Sequence, residues 1–330
     1  MSDLFWPGDG RAGELFTDAA FRAALVRVES AWVDVDLTVP ATLLDDELDV
    51  EAGGNPVIPL LDALRKANPD VELHEGLTSQ DVLDTALMLM LRDAVGVVGV
   101  HLGRAVDALA RLAAEHGDTA MTGRTLTQPA LPITFGDKVG AWRAGLAEAT
   151  SDLEALAFLV QVGGPVGTSN DGQAVFADRL GLTEATAWHT QRRPVTRAGD
   201  ALVAATDACG RIARDVMVLC RPEIGELSEA VGGGSSSMPH KANPVLSVLI
   251  RRAALTTPQL AATLHLAAAD QVDERADGAW HAEWDTLRLL ARRTAVAASQ
   301  TAELLQGLRV HPERMAANLV ASLAAAEPAR

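Results

Sequence analysis

Apolar residues recur at helical spacing along almost the whole chain. The clearest stripe is Leu83, Leu87, Met90, Leu91, Ala94, Val98, Leu102, Ala105, Leu109 and Leu112, with Arg104, Asp107, Arg111 and Glu115 on the other side. That period predicts one long helix from residue 78 to about 115. Thr78-Ser79-Gln80-Asp81 reads as a capping box at its start. A first amphipathic helix is expected over 14–36, carried by Leu25, Val28 and Trp32, and a short one over 57–66. Pro40, Gly53-Gly54 and Asn55-Pro56 break the stretch between them. Further helices are expected at about 133–162, 172–181, 195–221, 244–268 and 284–306, with Pro258 kinking or interrupting the fifth. Alternating strand signals are nearly absent. The fold class is all-α, and a helix as long as the second-quarter one needs other long helices beside it.

Composition agrees with this. The chain has 330 residues, 48% of them hydrophobic, and no Tyr, so Leu, Ala and Val fill a core of closely packed helices. The net charge of −16 excludes a general nucleic-acid surface. An anionic ligand would need basic residues concentrated at its site, and Arg124, Arg251, Arg252 and Lys241 are the candidates. Cys209 and Cys220 fall on one expected helix, roughly 16 Å apart, too far for a disulfide. With no basic-then-apolar leader after Met-Ser-Asp, and with charges interrupting the apolar runs, a cytoplasmic protein with no membrane contact is expected.

The most distinctive chemistry lies in Gly232-Gly233-Gly234-Ser235-Ser236-Ser237-Met238-Pro239-His240-Lys241-Ala242-Asn243-Pro244. Three glycines and three serines describe a loop whose backbone N–H groups can turn towards an anion. A hydroxyl moves protons only if the alkoxide is stabilised, and backbone donors with a nearby ammonium supply that field. A plain Gly/Ser spacer would not need Met-Pro, Lys and Asn-Pro at set intervals. The order of residues also excludes a phosphate loop ending in Gly-Lys-Ser/Thr.

GSSSMPHKANP resembles the signature of the fumarase/aspartase superfamily, also called the argininosuccinate lyase superfamily. Two more segments agree in the family's order. His74-Glu75-Gly76-Leu77-Thr78-Ser79-Gln80-Asp81, running on to Ala86, is similar to the first family region, and Gly123-Arg124-Thr125-Leu126-Thr127-Gln128-Pro129-Ala130 to the second. The wording of TSQDVLDTA, GRTLTQPALPITFG and GAWHAEW is most similar to the branch that closes a tricarboxylate diene to a lactone. The resemblance implies a central long-helix bundle over 78–308, a smaller N-terminal domain over 1–77 and a remnant of a C-terminal domain over 309–330. It further implies homotetramers whose active sites are shared between subunits, and a small tricarboxylate substrate.

Carried over residue by residue, the resemblance makes Ser235 the proton-transferring serine, with Ser236 as the neighbour most easily confused with it. Lys241 and Asn243 would hold the carboxylate on which charge accumulates, and Met238 lies in the same loop. Thr78, Ser79 and Gln80 would bind a carboxylate at a helix start, a role that can coexist with capping. His74 matches a histidine of related members, against the alternative of an exposed loop histidine. Thr125 and Gln128 fall within the second motif. Arg124 is either a carboxylate fork or a structural ion pair, and the sequence leaves the two equal. Trp280 and Trp284, four apart, read as core residues of one helical face.

Leu126 departs from the adenylosuccinate and argininosuccinate lyases of the superfamily, which carry at that position a histidine that serves as or supports the general acid. Leucine moves no protons, which fits a reaction whose attacking oxygen is already a carboxylate and leaves no second acid–base residue in view. The remaining histidines show no metal spacing, so no metal and no organic cofactor are expected. Two alternatives stay open: a superfamily lyase releasing an amine from a succinyl compound, and a non-catalytic helical assembly partner.

Overall fold

The computed structural model describes residues 3–41, 43, 48–168, 172–230, 232–234, 237–238, 241–275 and 277–326. Five long helices form the body: α3 (Ser79–His116), α4 (Phe135–Glu154), α6 (Arg193–Leu219), α7 (Val245–Ala269) and α8 (Gly278–Gln306). Helix α1 (Asp18–Val33) packs across α3, α2 (Val57–Ala67) lies beside it, α5 (Gln173–Leu180) contacts α1, and α9 (Pro312–Ala326) closes the described chain. Side-chain bonds fix the direction of each helix. Arg192, just before α6, reaches Asp84 at the start of α3, while Arg124, past the end of α3, reaches Glu226, past the end of α6. Trp280 at the start of α8 also donates to Asp84. Helices α3, α6 and α8 therefore run one way, and the connections make α4 and α7 run back.

The capping box is present, with Thr78 as N-cap and Asp81 at the third position. Helix α3 then continues for 38 residues, about 57 Å at 1.5 Å per residue. Contrary to the expectation that charges break every apolar run, this helix is long and apolar enough to cross a membrane by length and composition. Its Leu83, Leu91, Ala94, Val98, Leu102 and Leu109 are fully buried here against the neighbouring helices, which makes it the spine of the core.

Two expectations need revision. The segment after α3 forms a β-hairpin, β1 (Ala120–Thr125) paired antiparallel with β2 (Gln128–Thr134) in the register Thr125↔Gln128. Pro129, Ala130 and Pro132 conceal its alternation, since β2 is mostly exposed and has no buried face to mark. A second short pair joins β3 (Leu227–Ser228) to β4 (Arg309–Val310). Pro258, expected to kink or interrupt α7, lies inside a helix that continues through it, so the interruption is what the structure removes. Thr256 Oγ1 donates to the carbonyls of Arg252 and Ala253, and Thr257 Oγ1 donates to Ala253. The carbonyl that Pro258 deprives of a helical N–H is that of Ala254, four residues earlier, so these hydroxyls add bonds in the preceding turn without replacing the missing one.

Candidate active site

The first motif sits at the start of α3. Asp81 is fully buried and its carboxylate accepts five hydrogen bonds. They come from Thr78 N (2.8 Å), Thr78 Oγ1 (3.0 Å), Gly163 N (2.8 Å), Gly164 N (3.1 Å) and His189 Nε2 (2.7 Å). The Thr78 hydroxyl is thus committed within the chain, as donor to Asp81 and as acceptor from its backbone in the box. Gln80 is also committed: it is fully buried and donates to His189 O at 2.9 Å and Asp84 Oδ2 at 3.3 Å. Ser79 is half-buried at the first helical position, where unsatisfied N–H groups and the helix dipole favour an anion. Of the three sequence-predicted binding residues here, Ser79 is the one whose hydroxyl stays available to a ligand.

His74 belongs to the same end. Its backbone is left-handed, at φ 68°, and its Nδ1 lies 2.7 Å from Oε1 of the fully buried Glu29 of α1. A carboxylate only accepts, so Nδ1 carries the proton and Nε2 is the nitrogen left for a ligand. Arg275 Nη2 donates to the carbonyls of Gly164 and Pro165, which ties the α7–α8 connection to the turn that Asp81 holds.

Beneath this end lies a charge network that motif reading missed. Arg192 is wholly buried between Asp84 (2.7 and 2.9 Å) and Glu283 (2.5 to 3.1 Å). Trp280 Nε1 and Gln161 Nε2 also donate to Asp84. Burial alone would depress the arginine, but Asp84 and Glu283 more than offset it and hold the guanidinium charged. Burial pushes Glu283 up, and the Arg192 contacts pull against it. The available signal was the placement of Asp81, Asp84 and Glu283 on apolar helix faces, where an acid must have a partner.

The second motif is the hairpin, at the far end of α3. Thr125 and Gln128 flank its tip and are exposed. Leu126 and Thr127 form the tip with left-handed backbones, φ 48° and 70°, and Leu126 is 95% exposed. Such conformations are strained for residues other than glycine. Arg124, which the sequence left undecided, pairs with the fully buried Glu226 at 2.7 and 3.0 Å. Glu226 also accepts from Asn318 of α9 at 2.8 Å. Arg252 is likewise occupied, stacked 3.7 Å from the Trp6 ring centre and bonded to Pro7 O.

The third motif enters α7 at the hairpin's end of the bundle. Ser235, Ser236 and His240 lie outside the described residues. The neck of the loop is described: Gly233 N donates to Asn243 O (2.8 Å) and Asn243 N to Gly233 O (2.9 Å). A side chain on Gly232 would meet Ala242 Cβ at 2.8 Å, so the two arms approach as only glycine permits. Asn243 Nδ2 donates to Gly234 O at 3.2 Å. Lys241 and Met238 are exposed. Glu229 fixes the base, accepting from Leu246 N, Ser247 N and Ser247 Oγ at the start of α7.

The motifs are therefore not gathered within one chain. The second and third share one end of the bundle and the first lies at the other, about 57 Å away along α3.

Comparison with known proteins agrees with the motif order. The chain matches the Lyase family over residues 31–257. It is 41% identical to a nitrosuccinate lyase of Streptomyces davaonensis, over 92% of this chain and 73% of the relative. It is 40% identical to a 3-carboxy-cis,cis-muconate cycloisomerase of Bradyrhizobium diazoefficiens, over 92% and 74%. Among solved structures, the 3-carboxy-cis,cis-muconate lactonizing enzyme of Pseudomonas putida superposes with a TM-score of 0.83 at 31% identity, over 93% of this chain and 77% of that one. Motifs, helical bundle and relatives converge, and the chain belongs to the Lyase family, within the fumarase/aspartase superfamily.

Proposed function

We propose that the protein is a 3-carboxy-cis,cis-muconate cycloisomerase, acting in protocatechuate breakdown. The observation that carries this reading is its similarity to cycloisomerases along nearly its whole length, at 40%, 38% and 35% identity. In the proposed reaction one substrate carboxylate oxygen forms a C–O bond to the conjugated double bond. The π electrons move towards a second carboxylate, which becomes an aci-carboxylate group carrying two negative charges while the total charge is unchanged. Ser235 then delivers its hydroxyl proton to carbon and is reprotonated from water, so in their acid forms product and substrate are isomers and no redox partner is needed. Lys241 and the glycine-rich backbone stabilise the intermediate, and Ser79 with the start of α3 binds a carboxylate. Thr125, Gln128 and His74 complete the proposed contacts. Mixing purified protein with 3-carboxy-cis,cis-muconate should bleach the diene's ultraviolet absorbance, with a lactone as the product. Intact substrate after prolonged incubation would refute the assignment.

A second reading has its own support, the 41% identity to a nitrosuccinate lyase. Nitrite leaves as a stable anion and needs no protonation, so Leu126 fits this elimination as well as it fits lactonisation. An amine leaving group would need an acid that position 126 cannot provide, which disfavours the amine-releasing lyases. Nitrite release from nitrosuccinate, with carboxymuconate untouched, would select this second reading.

Either chemistry calls for an assembly, and we propose a homotetramer. The separation of the motifs along α3 supports it. So does the outward face of α7, where Val245, Val248, Leu255 and Leu266 are exposed at heptad-like intervals.

A further inference from the structure

We propose that Asp81 and His189 are positioning residues that hold the carboxylate-binding start of α3 in register with the Gly163–Gly164 turn. This rests on the reading above that Ser79 and the first turn of α3 receive a substrate carboxylate. A capping box needs its third residue to accept only from the N-cap backbone. Asp81 does this and takes four further bonds, three of them from outside its own helix. Its Oδ2 holds Thr78 and Gly164, and its Oδ1 holds Gly163 and His189. One carboxylate therefore sets the spacing between the residue preceding Ser79 and a turn that arrives from 82 positions later in the chain.

His189 is the support behind that carboxylate. Asp81 accepts from Nε2, so the ring carries its proton there, and Nδ1 is buried without a hydrogen-bond partner among the described residues. An imidazole retained only for stability would gain by satisfying both nitrogens. The ring also fills the space beneath the turn: a Cβ on Gly163 would meet His189 Cε1 at 2.6 Å, and one on Gly167 would lie 3.6 Å from Nδ1. Through its backbone carbonyl, His189 accepts from Gln80 as well. Residues 78–81, 163–164 and 189 thus form one locked wall behind Ser79.

The unpartnered Nδ1 makes the test practicable. Leucine at 189 removes an unsatisfied buried atom along with the Nε2 donor, and Asp81 keeps four of its five bonds, so the protein should still fold. Glutamine can place its Nε2 near the imidazole Nε2 and restore the donor. The probe is tricarballylate, an unreactive tricarboxylate, titrated calorimetrically into the intact protein, with amide exchange followed at residues 78–81 and 163–164. His189→Leu should weaken tricarballylate about tenfold and raise KM by a similar factor, with kcat changed less than about threefold. Exchange at both backbone segments should accelerate, and His189→Gln should restore affinity to within about threefold of wild type. Wild-type affinity in His189→Leu, or a glutamine variant as weak as the leucine one, overturns the proposal. Wild-type protein that binds tricarballylate but does not convert carboxymuconate refutes the reaction and leaves the positioning role standing. Wild-type protein that converts carboxymuconate but binds no tricarballylate overturns the positioning role alone, and protein that does neither refutes both.

Discussion

At the scale of single residues, the first motif divides into one hydroxyl, that of Ser79, open to the proposed substrate and two groups bonded within the fold. Ser79→Ala should therefore lower kcat/KM by at least about thirtyfold and leave the melting temperature nearly unchanged, whereas Thr78→Val should lower stability by about 1 kcal/mol through the lost cap. Steady-state kinetics paired with thermal melts would separate the two, and equal kinetic damage with no loss of stability in Thr78→Val would contradict the assignment. The sequence could name all three residues but not rank them, because ranking depends on partners such as Gly163 and His189 that lie far off in the chain. The same is true of Arg124: its fork is visible in the sequence, while its engagement by Glu226 follows only from the meeting of two chain segments. Arg192 lies deeper. Replacing it with Met leaves Asp84 and Glu283 facing each other without a counter-charge, and a loss of about 3–5 kcal/mol is expected in urea unfolding. Cys209, buried and pushed up to about 11 by that burial, should resist thiol reagents until the protein unfolds.

Whole elements were more legible than their contacts. Helices α3, α6 and α8 announce themselves because each buries a continuous stripe, and such stripes survive in sequence as period. The β1–β2 hairpin was hidden because neither an alternating buried face nor an Asn-Gly turn marks it, only a strained Leu126-Thr127 tip. Pro258 does not end α7, because a proline removes a single N–H and the helix continues on both sides of it. Packing between elements rests on small residues at close crossings. Gly210 of α6 faces Ala254 of α7 with no room for a Cβ, so Gly210→Val should force the two helices apart and cost about 1–3 kcal/mol. Far-ultraviolet dichroism should stay near wild type while the melting temperature drops. An unchanged melting temperature would show that the crossing is looser than described.

For the whole molecule, the decisive quantity is the length of α3. No hinge within one chain brings Ser79 beside the loop carrying Lys241 when about 57 Å of buried helix lies between their ends of the bundle. If each site draws its first and third motifs from different subunits, a chain defective in one motif can be complemented by a chain defective in the other. Ser79→Ala and Lys241→Ala homo-oligomers should each be strongly impaired. Unfolded together in equal amounts and refolded, they form mixed assemblies in which a site is intact when its first motif comes from the Lys241→Ala chain and its third from the Ser79→Ala chain. For random mixing that holds at roughly a quarter of the sites, so activity should recover to roughly a quarter of a wild-type sample treated identically. Refolding each variant alone supplies the baseline, and light scattering reports whether the active species is a tetramer. Activity no greater than the mean of the two separate variants would mean that both motifs act within one chain. The exposed α7 stripe would then need a different partner, and the shared-site arrangement would have to be abandoned.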